Sequence, residues 1–257
     1  MRIPARVLVV PLAIVALAAC GSGDASSTIT AGDIAGSAAD LAKGTARMHM
    51  TAERDAGGGS VRTFVIDGEI DGAHDARSMR TQADGDSGGL AQEARTVGDV
   101  SYQRVAPPDR LGETPWIRYE PDSPMARLQA ASLDASDPFT FLDRVAGVSD
   151  VETLGTTTVD GVPVTHARLT IDLAKWMRTL PKDLRDLAYD DRPDTAEYDV
   201  WIDAQRRIRR LRNTSVHPQV TFRTQIDFTD FGAPVTIEAP PASEVVDVPV
   251  AGAPGSG

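Results

Sequence analysis

The 257 residues hold a single cysteine, Cys20, only four histidines, and 5% aromatic residues. With one thiol no internal disulfide can form, so the fold must be held by a packed core. His49, His74, His166 and His217 show neither His-x-x-x-His spacing nor a cysteine partner, which removes the usual zinc sets. Also missing are a Gly-x-Ser-x-Gly elbow, a Ser-x-x-Lys pair and a His-Glu-x-x-His helix, the commonest signatures of exported hydrolases. No cofactor is expected. Basic residues are outnumbered 26 to 37, giving a formal charge of −11. That balance makes nucleic acid a poor partner, because phosphate binding needs clustered cations. No stretch reaches eighteen consecutive apolar residues, so a membrane-spanning helix is not expected. The scattered carboxylates leave a glycosidase-type pair formally open, but an enzyme would need polar groups converging in a pocket, and none is expected.

What is present begins at the N-terminus. Met1 to Arg6 carries two arginines, and Val7 to Ala19 is apolar, the n-region and h-region of a secretory signal. As a helix the apolar run is about 20 Å long, against a bilayer core of about 30 Å, so it directs export without spanning. Leu17-Ala18-Ala19-Cys20 then resembles the bacterial lipobox at every position. The resemblance implies cleavage before Cys20 and a lipid on its thiol, which anchors the mature chain to the outer face of the cell membrane. Loss of residues 1–19 removes Arg2 and Arg6 and takes the formal charge from −11 to −13. So acidic a domain has little electrostatic attraction to anionic headgroups, and the lipid must supply the attachment.

Residues 20–32 are small and polar and read as a flexible tether; residues 248–257, rich in Gly, Pro and Ala, read as a disordered tail. Between them, 33–247 is expected to be one globular domain, with 41% hydrophobic and 25% charged residues in the chain as a whole. Its commonest signal is alternation. Val220, Phe222, Ile226 and Phe228 fall on one face of a strand, and Thr221, Arg223, Gln225 and Asp227 on the other. Noisier alternation covers Met48–Glu53, Val61–Ile70 (with Phe64 and Ile66), Val162–Ile171 and Tyr198–Asp203. Turn signals at 55–59, 71–72, 84–89, 98–99 and 160–161 separate such runs into hairpins.

Helices are expected at Asp33–Lys43, at 123–133 after Ser123-Pro124, and at 137–146 after Asp137-Pro138, where Phe139 and Leu142 are apolar. Another starts at Asp172, with Leu173, Trp176, Met177, Leu180, Leu184 and Leu187 at helical spacing and a kink at Pro181. The fold class is α+β, with helices laid against a large antiparallel sheet.

Asp160 to Ala174, Tyr198 to Leu211, and Phe228 to Val235 with Ile237 to Pro241 resemble the late segments of the LolA-like lipoprotein carriers, more closely the LppX/LprG type of exported actinobacterial lipoprotein. The chain departs from that pattern at Ala204-Gln205, where Gly is usual, and in the Gly- and Asp-rich stretch 84–89. The resemblance implies a strongly bent antiparallel sheet, a half-barrel, with helices on its concave face and an apolar cavity for acyl chains between. It brings no catalytic residues. The cavity lining it suggests is Phe64, Ile66, Phe139, Leu142, Trp176, Met177, Leu180, Val220, Phe222, Ile226 and Phe228.

Apolar stripes by themselves read as a packed core, so a hollow follows from the resemblance and not from the pattern. The expected ligand is a hydrophobic lipid, carried or held in the envelope, with an envelope transporter or sensor as possible protein partner. The alternative is a sensor or structural lipoprotein that binds a protein and carries no lipid. The one basic cluster, Arg206 to Arg212, reads first as cross-strand pairing with Glu197, Asp199 or Asp203, and second as a docking patch for a lipid headgroup or an anionic partner. Trp176 and Met177 read as core seals or as a lid.

Overall fold

The computed structural model describes residues 28–83, 89–119, 144–179, 182, 194–217 and 219–247. The helix expected at 123–133, most of that at 137–146, and the continuation of the 173–188 helix past Thr179, Lys182 excepted, lie outside the described residues, as do the signal, Cys20 and the tail.

The folded chain begins earlier than the sequence suggests. Helix α1 spans Ala31–Lys43, not Asp33–Lys43, and Thr30 caps it in a reciprocal box. Asp33 N donates to Thr30 Oγ1 at 3.2 Å, and Thr30 N donates to Asp33 Oδ2 at 2.9 Å. Ile29 is already in the core, and its N–H donates to Thr153 Oγ1 at 3.0 Å. A tether reaching to residue 32 is therefore too long: the last of those positions belong to the fold. Ile34, Ser37, Ala38 and Leu41 form the buried stripe of α1.

The described strands form one open, curled sheet. They are β1 (Thr45–Asp55), β2 (Val61–Asp71), β3 (Ala76–Ala83), β4 (Ala91–Val97), β5 (Val100–Ala106), β6 (Trp116–Tyr119), β7 (Val148–Val159), β8 (Val162–Asp172), β9 (Thr195–Asp203), β10 (Ile208–His217), β11 (Val220–Thr229) and β12 (Val245–Asp247). A short helix α2, Leu173–Met177, follows β8 with Asp172 as its N-cap. The spatial order is β12-β6-β5-β4-β3-β2-β1-β11-β10-β9-β8-β7. Neighbours are antiparallel except β12, which joins β6 in parallel. Two meanders are thus stitched together where β11 pairs with β1, Met48 opposite Phe228 and Met50 opposite Ile226.

Alternation sets the two faces. On β1, Ala46, Met48, Met50 and Ala52 point to the core, as do Ile66 and Ile70 of β2, Val200 and Ile202 of β9, and Ile226 and Phe228 of β11. Strand β10 breaks the rule with a bulge at Arg209, so Ile208 and Leu211, three positions apart, both reach the core. Strand β7 bends at two further bulges, near Ser149 and Leu154. After β11 the chain crosses the opposite face of β1–β6. Gly232 N donates to Thr45 O, Arg95 Nη1 donates to Glu238 O, and β12 ends beside β6.

One close approach fixes α1 to the sheet. Gly72 N donates to Gly44 O at 2.8 Å, and a Cβ on Gly72 would lie 2.1 Å from Ala42 O. The clash is with backbone, so no side chain can turn away from it. Gly72→Ala is expected to lose about 2 kcal/mol or more in denaturant unfolding. Gly36→Ala, in α1 with nothing within 4 Å of its new methyl, is expected to gain up to about 1 kcal/mol.

Candidate functional site

The suggested cavity residues separate into three groups. Ile66, Trp176, Ile226 and Phe228 lie in one core cluster, and Phe64 and Met177, half-buried, pack against its margin. Val220 and Phe222 share the face of Ile226 and Phe228 but stand outside the cluster, half-buried. Cys20, Phe139, Leu142 and Leu180 lie outside the described residues. Only part of the shared face of β11 is therefore dry: Phe228 is 2% exposed, whereas Phe222, six residues on towards the hairpin end, lies beyond the core.

Register explains this gradient. Near α1, the core face carries the row Leu211, Ile226, Met50 and Ile66 across β10, β11, β1 and β2. The next row outward reads Asn213, Thr224, Ala52 and Phe64. The row beyond it reads Ser215, Phe222, Arg54 and Arg62. Apolar side chains give way to aromatic and then to cationic ones along one continuous surface. Beyond Phe222, Val220 faces His217, whose ring meets Phe222 edge-on at 6.0 Å and whose Nε2 lies 2.9 Å from Ser215 Oγ.

Helix α2 brings Trp176 into the same cluster, with the Arg144 guanidinium 5.0 Å from the ring centroid. The Trp176 Nε1 donor is buried and has no hydrogen-bond partner among the described residues. A buried donor of this kind is costly unless an acceptor meets it.

The opposite face has another character. A groove of 640 Å³ lies between β1–β4 and the crossing segment Thr236–Glu238. Charged side chains on its walls answer each other, Arg47 with Glu69 and Asp230, and Arg80 with Glu93, and the His49 ring hydrogen-bonds Asp67. Trp116 closes one end, buried between the guanidinium groups of Arg95 and Arg104 at 4.8 and 4.5 Å. Met48, Met79, Trp116 and Ile237 add apolar patches among these pairs, so the groove is of mixed character.

No family model matches the chain. A curated relative, an uncharacterized 31.2 kDa protein from the rplA-rplJ intergenic region of Streptomyces griseus, is 28% identical over 182 residues. The match covers 65% of this chain and 58% of the relative, so the chain spans less than two thirds of that relative's length. Among solved structures, LprF from Mycobacterium bovis is 18% identical with a TM-score of 0.46, covering 82% of this chain and 96% of that one. The lipoprotein LppX of Mycobacterium tuberculosis is 14% identical with a TM-score of 0.45, covering 81% and 97%.

The basic cluster is spent on internal pairing. Arg207 and Arg209 both donate through Nε to Asp203 Oδ2, at 2.9 and 2.8 Å, and Arg210 pairs with Asp227. Arg212 donates to Gln225 Oε1, and Arg206, in the turn, pairs with Asp33 of α1. Of the partners expected, Asp203 takes part; Asp199 instead holds His166 and Arg168, and Glu197 accepts from Asn213 through its backbone oxygen. Asp203 also accepts from Gln205 N and Arg207 N, which closes the turn where Ala204-Gln205 stands in place of Gly.

Burial disfavours the Asp203 carboxylate, but the Arg207 backbone N–H and the two guanidinium groups more than offset it and hold its pKa below the ordinary value. The folded state therefore binds its proton less readily than the unfolded chain, and the stabilisation is present above the ordinary aspartate pKa and lost as pH falls through the lower folded value. Asp203→Asn is expected to cost about 3 kcal/mol at pH 7 by leaving two guanidinium groups without their charge partner. In acid titrations followed by circular dichroism, the gap between the two proteins narrows below about pH 4.

Proposed function

We propose that the protein is a lipoprotein, anchored through Cys20 to the outer face of the cell membrane, that carries or holds an acylated lipid in the envelope. The observation that carries this reading is the core face itself, which runs from packed Met50 and Ile226 through Ala52 to half-buried Phe64, with half-buried Phe222 beyond Thr224. A surface of that kind is where acyl carbons gain most from leaving water, about 0.8 kcal/mol per methylene. The Trp176 N–H supports it as well, since a lipid ester or hydroxyl oxygen can accept from a buried donor that has no partner among the described residues.

In this reading residues 1–19 are the signal, Cys20 carries the lipid, a tether leads into the folded domain and residues 248–257 form a tail. The segments 123–133, 137–146 and 173–188 are helices that roof the concave side of the sheet. Phe139, Leu142 and Leu180 then join Phe64, Trp176, Met177, Val220 and Phe222 around the ligand, with Ile66, Ile226 and Phe228 as its floor. The process is passive, without a catalytic step. Affinity comes from apolar burial, and entry and exit from helix displacement.

No helix among the described residues is long and apolar enough to cross a membrane, which suits a lipid anchor. Two measurements test the reading. Cells grown with labelled palmitate are expected to label the protein, and Cys20→Ser is expected to lose both the label and the membrane fraction. Mass spectrometry of the purified mature chain is expected to find co-purifying lipid. If none appears and a fluorescent fatty acid also fails to bind, the carrier assignment is lost.

A further inference from the structure

The core face ends in an arrangement that an apolar ligand alone does not explain. Arg54 and Arg62 stand directly opposite each other on β1 and β2, on the same face as Ala52 and Phe64. Like charges in that position repel and destabilise a sheet. Most other arginines of the sheet have carboxylate partners, as Arg47, Arg80, Arg104, Arg118, Arg168, Arg209, Arg210 and Arg223 do, while Arg77, Arg95 and Arg212 donate to Thr96, the Glu238 backbone oxygen and Gln225. Neither Arg54 nor Arg62 has an ion pair or hydrogen bond among the described residues, although the chain has 37 acidic residues to draw on. Across Arg54 on the other side stands Phe222, then Ser215, with His217 beside it. Exposed Arg54 thus stands one strand from half-buried Phe222 with exposed Arg62 one strand beyond it, and the Ser215 hydroxyl and the His217 imidazole lie on the other side.

We infer that Arg54 and Arg62 receive the anionic headgroup of the bound amphiphile, with Ser215 and His217 on the far side of Phe222. The inference rests on the lipid-binding reading and adds to it the charge of the ligand. Guanidinium groups suit phosphate oxygens through paired, charge-assisted hydrogen bonds. The geometry places the charge where the apolar row ends, so an acyl chain lying over Phe64 and Phe222 keeps its head at the rim. A bound anion would also relieve the repulsion between the two arginines.

The test uses the mature chain with Cys20→Ser, checked for folding by circular dichroism, and two amphiphiles below their micelle concentrations. Dodecyl phosphate is expected to bind about tenfold tighter than dodecylphosphocholine. In Arg54→Gln/Arg62→Gln, dodecyl phosphate is expected to weaken about tenfold, while dodecylphosphocholine stays within about twofold. The double variant is expected to melt no lower than its parent, because a repulsion is removed. Equal binding of both amphiphiles by both proteins overturns the headgroup site and leaves the lipid reading intact. Failure of both amphiphiles to bind overturns the lipid reading itself. Inorganic phosphate bound as tightly as dodecyl phosphate points to a plain anion site, and binding confined to phosphatidylglycerol vesicles points to membrane docking; each overturns the inference.

Discussion

The pairing of β1 with β11 joins residues from the two ends of the folded chain, Arg47 opposite Thr229 through Asp55 opposite Thr221. Closing so long a loop costs conformational entropy that no local contact repays. The return comes from the core face, where Met48 and Met50 meet Phe228 and Ile226 across the seam and α1 lays Ile34, Ala38 and Leu41 into the same cluster. Without that seam there would be two separate meanders, each with an unpaired edge. With it there is one curled surface, and the rows that cross it run continuously from β10 to β2.

Much of this was legible in the residues, and what was not has local causes. Period-2 patterns mark β1, β2, β8, β9 and β11 to within a few residues, because each has one face in the core. Strand β7, twelve residues long, escaped because two bulges scramble its alternation and because its run of threonines has no apolar rhythm. The extra residue Arg209 hid the inward turn of both Ile208 and Leu211. The early start of α1 was readable in Thr30 and Asp33, a capping pair with the right spacing. Of the suggested lining, Val220 and Phe222 were assigned to the right face, but alternation says nothing about how far along a strand the core extends. Arg54 and Arg62 were passed over because attention to apolar positions ignores what else shares their face. The symmetric Gly-rich loop between Asp55 and Val61 was the signal that sets them opposite each other.

The sheet keeps two chemistries apart by parity alone. On one side, packed aliphatic side chains give way to polar, aromatic and then cationic ones; on the other, carboxylates and guanidinium groups neutralise each other along the strands, as Arg47 does with Glu69 and Arg104 with Glu93. A net negative protein can in this way hold local cations where they are unpaired and spend the rest on structure. Asp203 is the extreme of the second kind, a carboxylate buried in a turn and held by two arginines while its neighbour Arg206 ties the same turn to α1.

An open sheet has two rims, and each is handled differently. Beside β6, the chain's own end returns to add β12 in parallel, with Asp247 pairing Arg118 at 2.9 Å. At the far rim β7 has nothing beyond it in the sheet, but its two bulges and Gly155, at φ 135°, interrupt the regular spacing of its outward N–H and C=O groups. One rim is taped and the other is buckled. A second copy of the sheet thus meets no long, regular template at either rim, so the curl can stay open without inviting the stacking of strands that leads to fibrils.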